Sequence, residues 1–322
     1  MVLRPCYLLQ RRRLHLHEWL LMQFHAPIRT AIFWMAVFPV FGLMANPPTK
    51  ESTSLYDRLI ELNVQLRDES GERRSAAIIS TYRELAVGTS VCSRPIADTA
   101  IADDFFRATA FAEFYSLAED DVDTLGCLYR ELLTDGRATD WHTRTYAGAL
   151  VTVARFDDAN RLLAQVEGGQ AGFLPHITSA PSLTPSGPWR YLSLDENHTA
   201  TIGTWTPVAG HLQVIAVIHP ACAFSTRALT DIGSNEDLRW LRERLLLLVP
   251  PDPSLPGRGI LDWNNAHPDL SMKRMYTWSD WQQLTRLDTP TFYLMQGDHV
   301  VQTFEGWPNA EGIAQIRAAL TR

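Results

Sequence analysis

The apolar positions of the chain recur with a helical period over its first half. Between about Ser52 and Val166, apolar residues return every three or four positions, the spacing of amphipathic helices. The two clearest faces consist of Leu55, Leu59, Leu62 and Leu66, and of Ile101, Phe105, Ala108, Ala112 and Tyr115. We therefore expect an α-helical amino-terminal domain over residues 52–166.

One segment of this half resembles a known helical repeat. Residues 145–165, TYAGALVTVARFDDANRLLAQ, predict two short helices that turn near Arg155 and carry small residues where they pack. This pattern is similar to a tetratricopeptide-type hairpin, although no 34-residue repeat is present. The domain is therefore either tetratricopeptide-like or a plain helical bundle.

A change in composition marks the end of the helical half. Residues 168–188, rich in Gly, Pro, Ser and Thr, break the helical period. Alternating residues then predict two strands, Trp189–Leu194 and Thr199–Trp205, joined by a turn over Asp195–His198. We place a linker and β-hairpin at residues 167–204 and a second domain at 205–322.

The second domain begins with a strand that runs directly into a cysteine. Leu212–Ile218, LQVIAVI, is almost wholly apolar, which is typical of a strand buried on both faces of a sheet. Cys222 follows at the predicted start of a helix. Unpaired backbone N–H groups and the helix dipole stabilise a thiolate at such a position and lower the pKa of the thiol. Cys222 is therefore a candidate nucleophile.

The order of elements around Cys222 resembles the thioredoxin fold. A second apolar strand over Arg244–Val249 is followed by Thr289-Pro290 and then by an antiparallel pair, Phe292–Met295 with Val300–Phe304. In the thioredoxin family a cis proline at the position of Pro290 lies against the active cysteine and opens an edge for the client's backbone. The resemblance covers about residues 205–320 and implies an α/β thioredoxin-like domain.

The chain also departs from that family. Active members carry Cys-x-x-Cys, whereas Ser225 occupies the fourth position here, so the motif has no resolving thiol. The buried acid that thioredoxins place six residues before the cysteine is Ala216. These departures leave two functions open, a single-thiol redox protein and a non-catalytic binding or scaffold module that acts through its helical domain.

In the redox hypothesis Cys222 attacks a client disulfide and an outside thiol resolves the mixed disulfide. His219 holds a proton or stabilises the thiolate, Ser225 donates a hydrogen bond to the sulfur, and Thr289 and Pro290 present the client's backbone. In the scaffold hypothesis Cys222 is only a small buried hydrophobe.

A third hypothesis is a metal site that combines His219 and Cys222 with a more distant histidine, His211 or His299. We expect neither a metal nor a cofactor, because His-x-x-Cys alone supplies too few ligands. The sequence also lacks a phosphate-binding glycine loop and a serine nucleophile elbow.

The first 45 residues resemble an export signal. Ala31–Ala45 is apolar, follows Arg29, and at fifteen residues is shorter than the roughly 20 that span a bilayer. Met22 offers an alternative start. We expect an exported, periplasmic protein whose residues 1–45 are either a cleaved signal or an uncleaved anchor through residues 31–45, its only contact with a membrane.

Export would allow disulfides to persist. Cleavage would remove Cys6 and leave Cys92, Cys127 and Cys222, an odd number. We expect a bridge between Cys92 and Cys127, with two buried free thiols as the alternative, and Cys222 as the odd thiol.

The distribution of charge limits the partners. The formal net charge is -7. Residues 1–45 carry five Arg and one Glu, a balance of +4, so the remainder stands at -11. An acidic body does not attract phosphate backbones, so we expect no nucleic acid as partner and a protein or small thiol as client.

Overall fold

The computed structural model describes residues 54–86, 91–93, 96, 98–166, 174–178, 188–208 and 210–320. The expected signal or anchor at residues 1–45 and the alternative start at Met22 lie outside these ranges, so they stay predictions. Within the ranges, no helix has both the length and the apolarity of a bilayer-spanning segment.

The first half is helical, as its periodicity predicts. Its helices in the described ranges are α1 (Leu55–Gln65), α2 (Gly71–Leu85), α3 (Thr99–Ser116), α4 (Glu119–Thr134), α5 (Asp140–Thr152) and α6 (Phe156–Leu163). The predicted turn near Arg155 separates α5 from α6. One position was wrong, because Ile101 is 52% exposed and the buried face of α3 begins at Ala102 instead.

A disulfide fastens this half. Cys92 and Cys127 are bonded at 2.02 Å, which confirms the predicted pair. Cys92 precedes α3 and Cys127 lies in α4, so the bond joins the chain before one helix to the middle of the next. Closing a loop of this kind stabilises a fold mainly by restricting the unfolded chain.

The second half contributes a mixed sheet with flanking helices. Its strands are β1 (His176–Thr178), β2 (Arg190–Leu194), β3 (Thr199–Thr204), β4 (Leu212–Val217), β5 (Leu245–Val249), β6 (Met272–Met275), β7 (Thr291–Gln296) and β8 (His299–Glu305). The accompanying helices are α7 (Ala223–Ser234), α8 (Arg239–Arg242), α9 (Gly257–Ala266) and α10 (Ala310–Leu320).

The strand order gives this half its thioredoxin-like character. The sheet runs β1-β3-β2-β6-β5-β4-β7-β8. Strand β4 is parallel to β5 and antiparallel to β7, and β7 is antiparallel to β8. With α7 between β4 and β5 and a hairpin before the last helix, this is the α/β arrangement that the resemblance implied.

The predicted hairpin belongs to the same sheet. Strands β2 and β3 pair in antiparallel fashion, and β2 also pairs with β6, which lies parallel to β5. The sequence did not reveal β6, because the buried Arg274 interrupts its apolar residues. The segment that we assigned to a region between domains therefore extends the central sheet.

Each face of the sheet carries its own buried cluster. On one face Val214 and Ala216 pack against the apolar sides of α7, α9 and α10. On the other face Ile215 and Val217 pack with Trp189 and Trp281. The alternation along β4 confirms a strand that is buried on both sides.

A buried arginine ties the helical half to the sheet. Arg274 of β6 is 0% exposed, and its Nη2 donates to the carbonyl oxygens of Val151, at 2.6 Å, and Thr152, at 3.2 Å. Its Nη1 donates to those of Met275 and Tyr276, both at 2.8 Å. The end of α5 and the end of β6 therefore share one guanidinium.

We predict that Arg274→Met lowers the free energy of unfolding by about 3–5 kcal/mol, because several buried carbonyl groups lose their donor. Urea unfolding measures the effect. Arg258, whose side chain is 89% exposed on α9, is the matched control, and Arg258→Met should change stability by less than about 0.5 kcal/mol. An Arg274→Met variant as stable as the control would contradict the bridging role.

Candidate functional site

The pairing of β4 with β7 brings the predicted site residues together. Val217, the last residue of β4, lies opposite Thr291, the first residue of β7. The chain that leaves β4 and the chain that enters β7 must therefore run side by side. His219 and Cys222 lie on the first of these segments, and the Thr289–Pro290 peptide lies on the second.

Cys222 caps the amino-terminal end of α7. Its carbonyl oxygen accepts the first helical hydrogen bond, from Thr226 N at 2.9 Å, and its N–H donates to the carbonyl oxygen of His219 at 3.0 Å. The sulfur lies 3.4 Å from the carbonyl oxygen of Thr289. Cys222 is only 2% exposed, so its sulfur lies beneath the surface.

The oxidation state of Cys222 differs from our expectation. Cys222 is disulfide-bonded, and no cysteine of the described ranges is a free thiol. The expectation of Cys222 as an odd thiol was wrong for this structure, because its sulfur takes part in a disulfide bond. In this state the sulfur carries no proton, so its contact with the Thr289 carbonyl becomes a hydrogen bond only after reduction.

The Thr289–Pro290 peptide is cis, as the resemblance implied. Backbone and side-chain hydrogen bonds hold the segment on both sides. Gly306 N donates to the carbonyl oxygen of Pro290 at 2.8 Å, and the Thr291 hydroxyl donates to that of Asp288 at 2.6 Å. Thr289 and Pro290 are both buried. These hydrogen bonds hold the Thr289 carbonyl group in place, with its oxygen next to the Cys222 sulfur.

His219 is buried beside Cys222 and is only 4% exposed. Its Nδ1 accepts a hydrogen bond from Ala221 N at 3.2 Å, so the neutral ring carries its proton on Nε2. Burial lowers the pKa of His219, and the negative charge of Asp252, 4.0 Å from Nε2, offsets part of this effect. Within the described residues Nε2 has no hydrogen-bond partner.

Ser225 does not make the contact that we expected. Its side chain is fully buried, and its oxygen accepts a hydrogen bond from the backbone N–H of His219 at 3.2 Å. A hydrogen bond to the Cys222 sulfur does not occur among the described contacts of Ser225. Ser225 therefore ties the first turn of α7 to the end of β4.

Sequence reasoning missed Asp252 and the close approach of α9. Strands β4 and β5 are parallel neighbours, so the residues that follow them meet at one edge of the sheet, and Asp252 comes soon after β5. The position of Asp252 soon after β5 was the sequence signal that could have revealed its place in the site. At Gly259 an added Cβ would lie 3.1 Å from the Cβ of Pro220, so α9 packs directly on the turn before Cys222.

The structure contradicts the metal hypothesis. His211 precedes β4, and His299 pairs with Gln296, which lies opposite the first residue of β4. His219 and Cys222 follow the other end of β4. The six residues of this strand, at roughly 3.3 Å each, separate them from His211 and His299 by about 20 Å. Within the described ranges no group of three or more His, Cys, Asp or Glu side chains is placed to hold a metal ion.

A surface groove of about 560 Å³ lies beside the turn that carries Cys222. Its lining consists of Pro220, Ala221, Ala223, Thr226, Arg227, Thr230 and Asp231. The groove thus follows one face of α7 away from its amino-terminal end. The Thr289 hydroxyl is a further buried polar atom of this site, and it has no hydrogen-bond partner in the described structure.

We predict that His219 makes the stability of the protein depend on pH. Because the pKa of His219 is lowered in the folded state, the unfolded chain binds more protons below about pH 6.5 and stability falls as the pH falls. His219→Gln should reduce this loss between pH 7 and pH 5 in urea unfolding. His299, whose side chain is 84% exposed, is the control, and His299→Gln should keep the wild-type dependence. Equal slopes for His219→Gln and wild type would rule out this role.

Comparison with known proteins adds little to this geometry. No protein-family model and no curated protein matches the chain. A search of solved structures returned a thioredoxin-like protein from Bacteroides caccae ATCC 43185, at 10% sequence identity and a TM-score of 0.28. The match covers 88% of this chain and 99% of that protein. The thioredoxin-like assignment therefore depends on the strand order and on the site described above.

Proposed function

We propose that the protein carries out thiol–disulfide exchange at Cys222 with a protein or small-thiol client. The observation that carries this proposal is the 3.4 Å contact between the Cys222 sulfur and the carbonyl oxygen of Thr289, the residue before the cis proline. A sulfur at the start of a helix is the usual setting of a reactive cysteine. Pro290 and Thr289 would then present the client's backbone.

The exchange needs no cofactor. The Cys222 thiolate attacks one sulfur of a client disulfide, the S–S bond of the client breaks, and one client thiolate leaves. The mixed disulfide is then attacked by an outside thiolate, which releases the Cys222 thiolate and forms a new disulfide. Because Ser225 replaces the second cysteine, the outside thiol must supply the second sulfur. The disulfide that holds Cys222 in this structure lies outside this cycle. An outside thiolate that attacks the other sulfur of that disulfide breaks the S–S bond and releases the Cys222 thiolate, which then enters the cycle.

The hydrogen bonds of His219 favour a role as hydrogen-bond donor over a role as general base. The Nδ1 of His219 is already engaged by a backbone N–H, so the Nε2–H of the neutral ring is available to donate. A thiolate or a client carbonyl group would satisfy this buried donor. The Thr289 hydroxyl, which has no hydrogen-bond partner among the described residues, is a second buried polar group in the residue before the cis proline.

The second candidate is a binding or scaffold module, and the burial of Cys222 favours it. Cys222 is only 2% exposed, and buried structural cysteines are unreactive. Recognition would then fall to the helical half, whose sequence over residues 145–165 resembles a tetratricopeptide-type hairpin. The two candidates share the same fold, so the reactivity of Cys222 separates them.

We further propose that the protein works in an oxidising compartment, with residues 1–45 as signal or anchor. The Cys92–Cys127 disulfide supports this proposal, because structural disulfides persist mainly in exported proteins.

The test is the formation of a mixed disulfide with glutathione. The variant Cys92→Ser/Cys127→Ser is reduced, freed of reductant and mixed with glutathione disulfide at pH 7, and the adduct is mapped by peptide mass spectrometry. We expect an adduct at Cys222 that forms about 3- to 10-fold faster in the folded protein than in urea, because more of the thiol is ionised.

The additional substitution Cys222→Ser is the control. It should abolish the glutathione adduct at position 222 and leave adducts at other cysteines unchanged. An adduct at Cys222 that forms only in urea would sink the exchange proposal and favour the scaffold.

A further inference from the structure

A cavity of about 280 Å³ lies where the helical half meets the segment that leads to Pro290. Helix α2, the end of α3 and residues 285–288 form its walls. Phe114 and Trp278 contribute aromatic surface, and Arg74 and Asp288 contribute charge. Neither the exchange proposal nor its alternative uses this space.

Arg74 is the first unusual feature of the cavity. Its side chain belongs to α2 and is only 6% exposed. Its guanidinium makes no hydrogen bond or ion pair with any described residue, and its Nε is fully buried. A buried charge without a partner is costly in a folded protein. Arg73, the next residue along the helix, is by contrast exposed and pairs with Glu69 at 2.9 Å.

Asp288 is the second unusual feature of the cavity. Its Oδ2 lies so close to the start of α2 that a Cβ added to Gly71 would be 2.8 Å away. Burial raises the pKa of Asp288, while the positive charges of Arg74 and Arg286 lower it. The carboxyl group accepts no hydrogen bond from the described residues and forms no ion pair with Arg74, although both side chains line the cavity.

The other charges at the cavity compensate one another. Arg286 lies 3.7 Å from Glu72 and also pairs with Glu305. The hydroxyl of Tyr293 accepts from the N–H of Arg286 at 2.8 Å and donates to its carbonyl oxygen at 2.7 Å, which holds this segment in place. Arg74 and Asp288 therefore remain as one positive and one negative group, each without a direct partner.

We propose that this cavity binds a small zwitterion, an α-amino acid with an apolar side chain. The carboxylate of the ligand pairs with Arg74, its ammonium group pairs with Asp288, and its side chain lies against Phe114 and Trp278. The guanidinium matches a carboxylate in shape and charge. The volume lies just below the roughly 300–1,000 Å³ of sites for drug-sized ligands, which suits a ligand of this size.

The site is independent of the chemistry at Cys222. Cys222 does not line the cavity, and the proposed binding needs no change in its oxidation state. A failure of thiol exchange would leave this proposal standing, and the reverse also holds.

Isothermal titration calorimetry of the full chain with L-phenylalanine and L-leucine tests the proposal. We expect saturable binding of at least one probe. The matching compounds without the amino group (3-phenylpropionate or 4-methylpentanoate) and without the carboxylate (2-phenylethylamine or 3-methylbutylamine) should each bind about 10- to 100-fold more weakly, since each leaves either Asp288 or Arg74 without a charged partner.

Variants of the two charged residues complete the test. Arg74→Gln and Asp288→Asn should weaken binding by a similar factor, whereas Arg73→Gln, one residue away on the exposed side of α2, should leave it unchanged. Equal affinity for a zwitterion and its singly charged analogues would overturn the proposal. So would the absence of saturation by both amino acids up to about 10 mM, well above the roughly 1 mM of a weak specific complex; Arg74 and Asp288 would then simply compensate each other across an unfilled cavity.

Discussion

The antiparallel pairing of β4 with β7 is the constraint on which the site depends. The register runs from Leu212 opposite Gln296 to Val217 opposite Thr291. Because side chains alternate along a strand, a slip of one residue would turn every buried side chain of β4 to the wrong face. Both faces of β4 are packed, so the register is strongly specified. The contact between Cys222 and the Thr289 carbonyl follows from it.

A second constraint joins the helical half to this sheet. Arg274 donates from the end of β6 to the last turn of α5, and β6 connects the β2–β3 hairpin to the strands of the site. The Arg74–Asp288 cavity lies at another part of the same junction. The helical half and residues 285–288 therefore line this cavity together. Thiol exchange at Cys222 and ligand binding in the cavity both involve residues 285–290 or their neighbours.

Much of the fold near the site could be predicted from local pattern. The apolar runs of β4 and β5, the helix that begins at Cys222 and the hairpin of β7 and β8 each depend on residues close in sequence. The cis peptide before Pro290 and the Cys92–Cys127 bond were also expected, and both are confirmed. These features have strong local or family signals.

The remainder depends on contacts between distant residues. Strand β6 was missed because Lys273 and Arg274 interrupt its apolar pattern, and the charge of Arg274 is tolerated only because α5 supplies carbonyl acceptors. The roles of Asp252 and Arg74 are equally non-local. Ser225 was assigned to the sulfur from its spacing, whereas its buried position at the end of β4 gives it a backbone partner.

The pH dependence of alkylation of reduced Cys222, in the folded protein with Cys92 and Cys127 replaced by serine, tests the account most directly. We expect fast modification with an apparent pKa below the roughly 8.5 of a free thiol, and a return toward that value in urea. A Cys222 that stays inert until the protein unfolds would contradict the account and leave the helical half as the place to look for function.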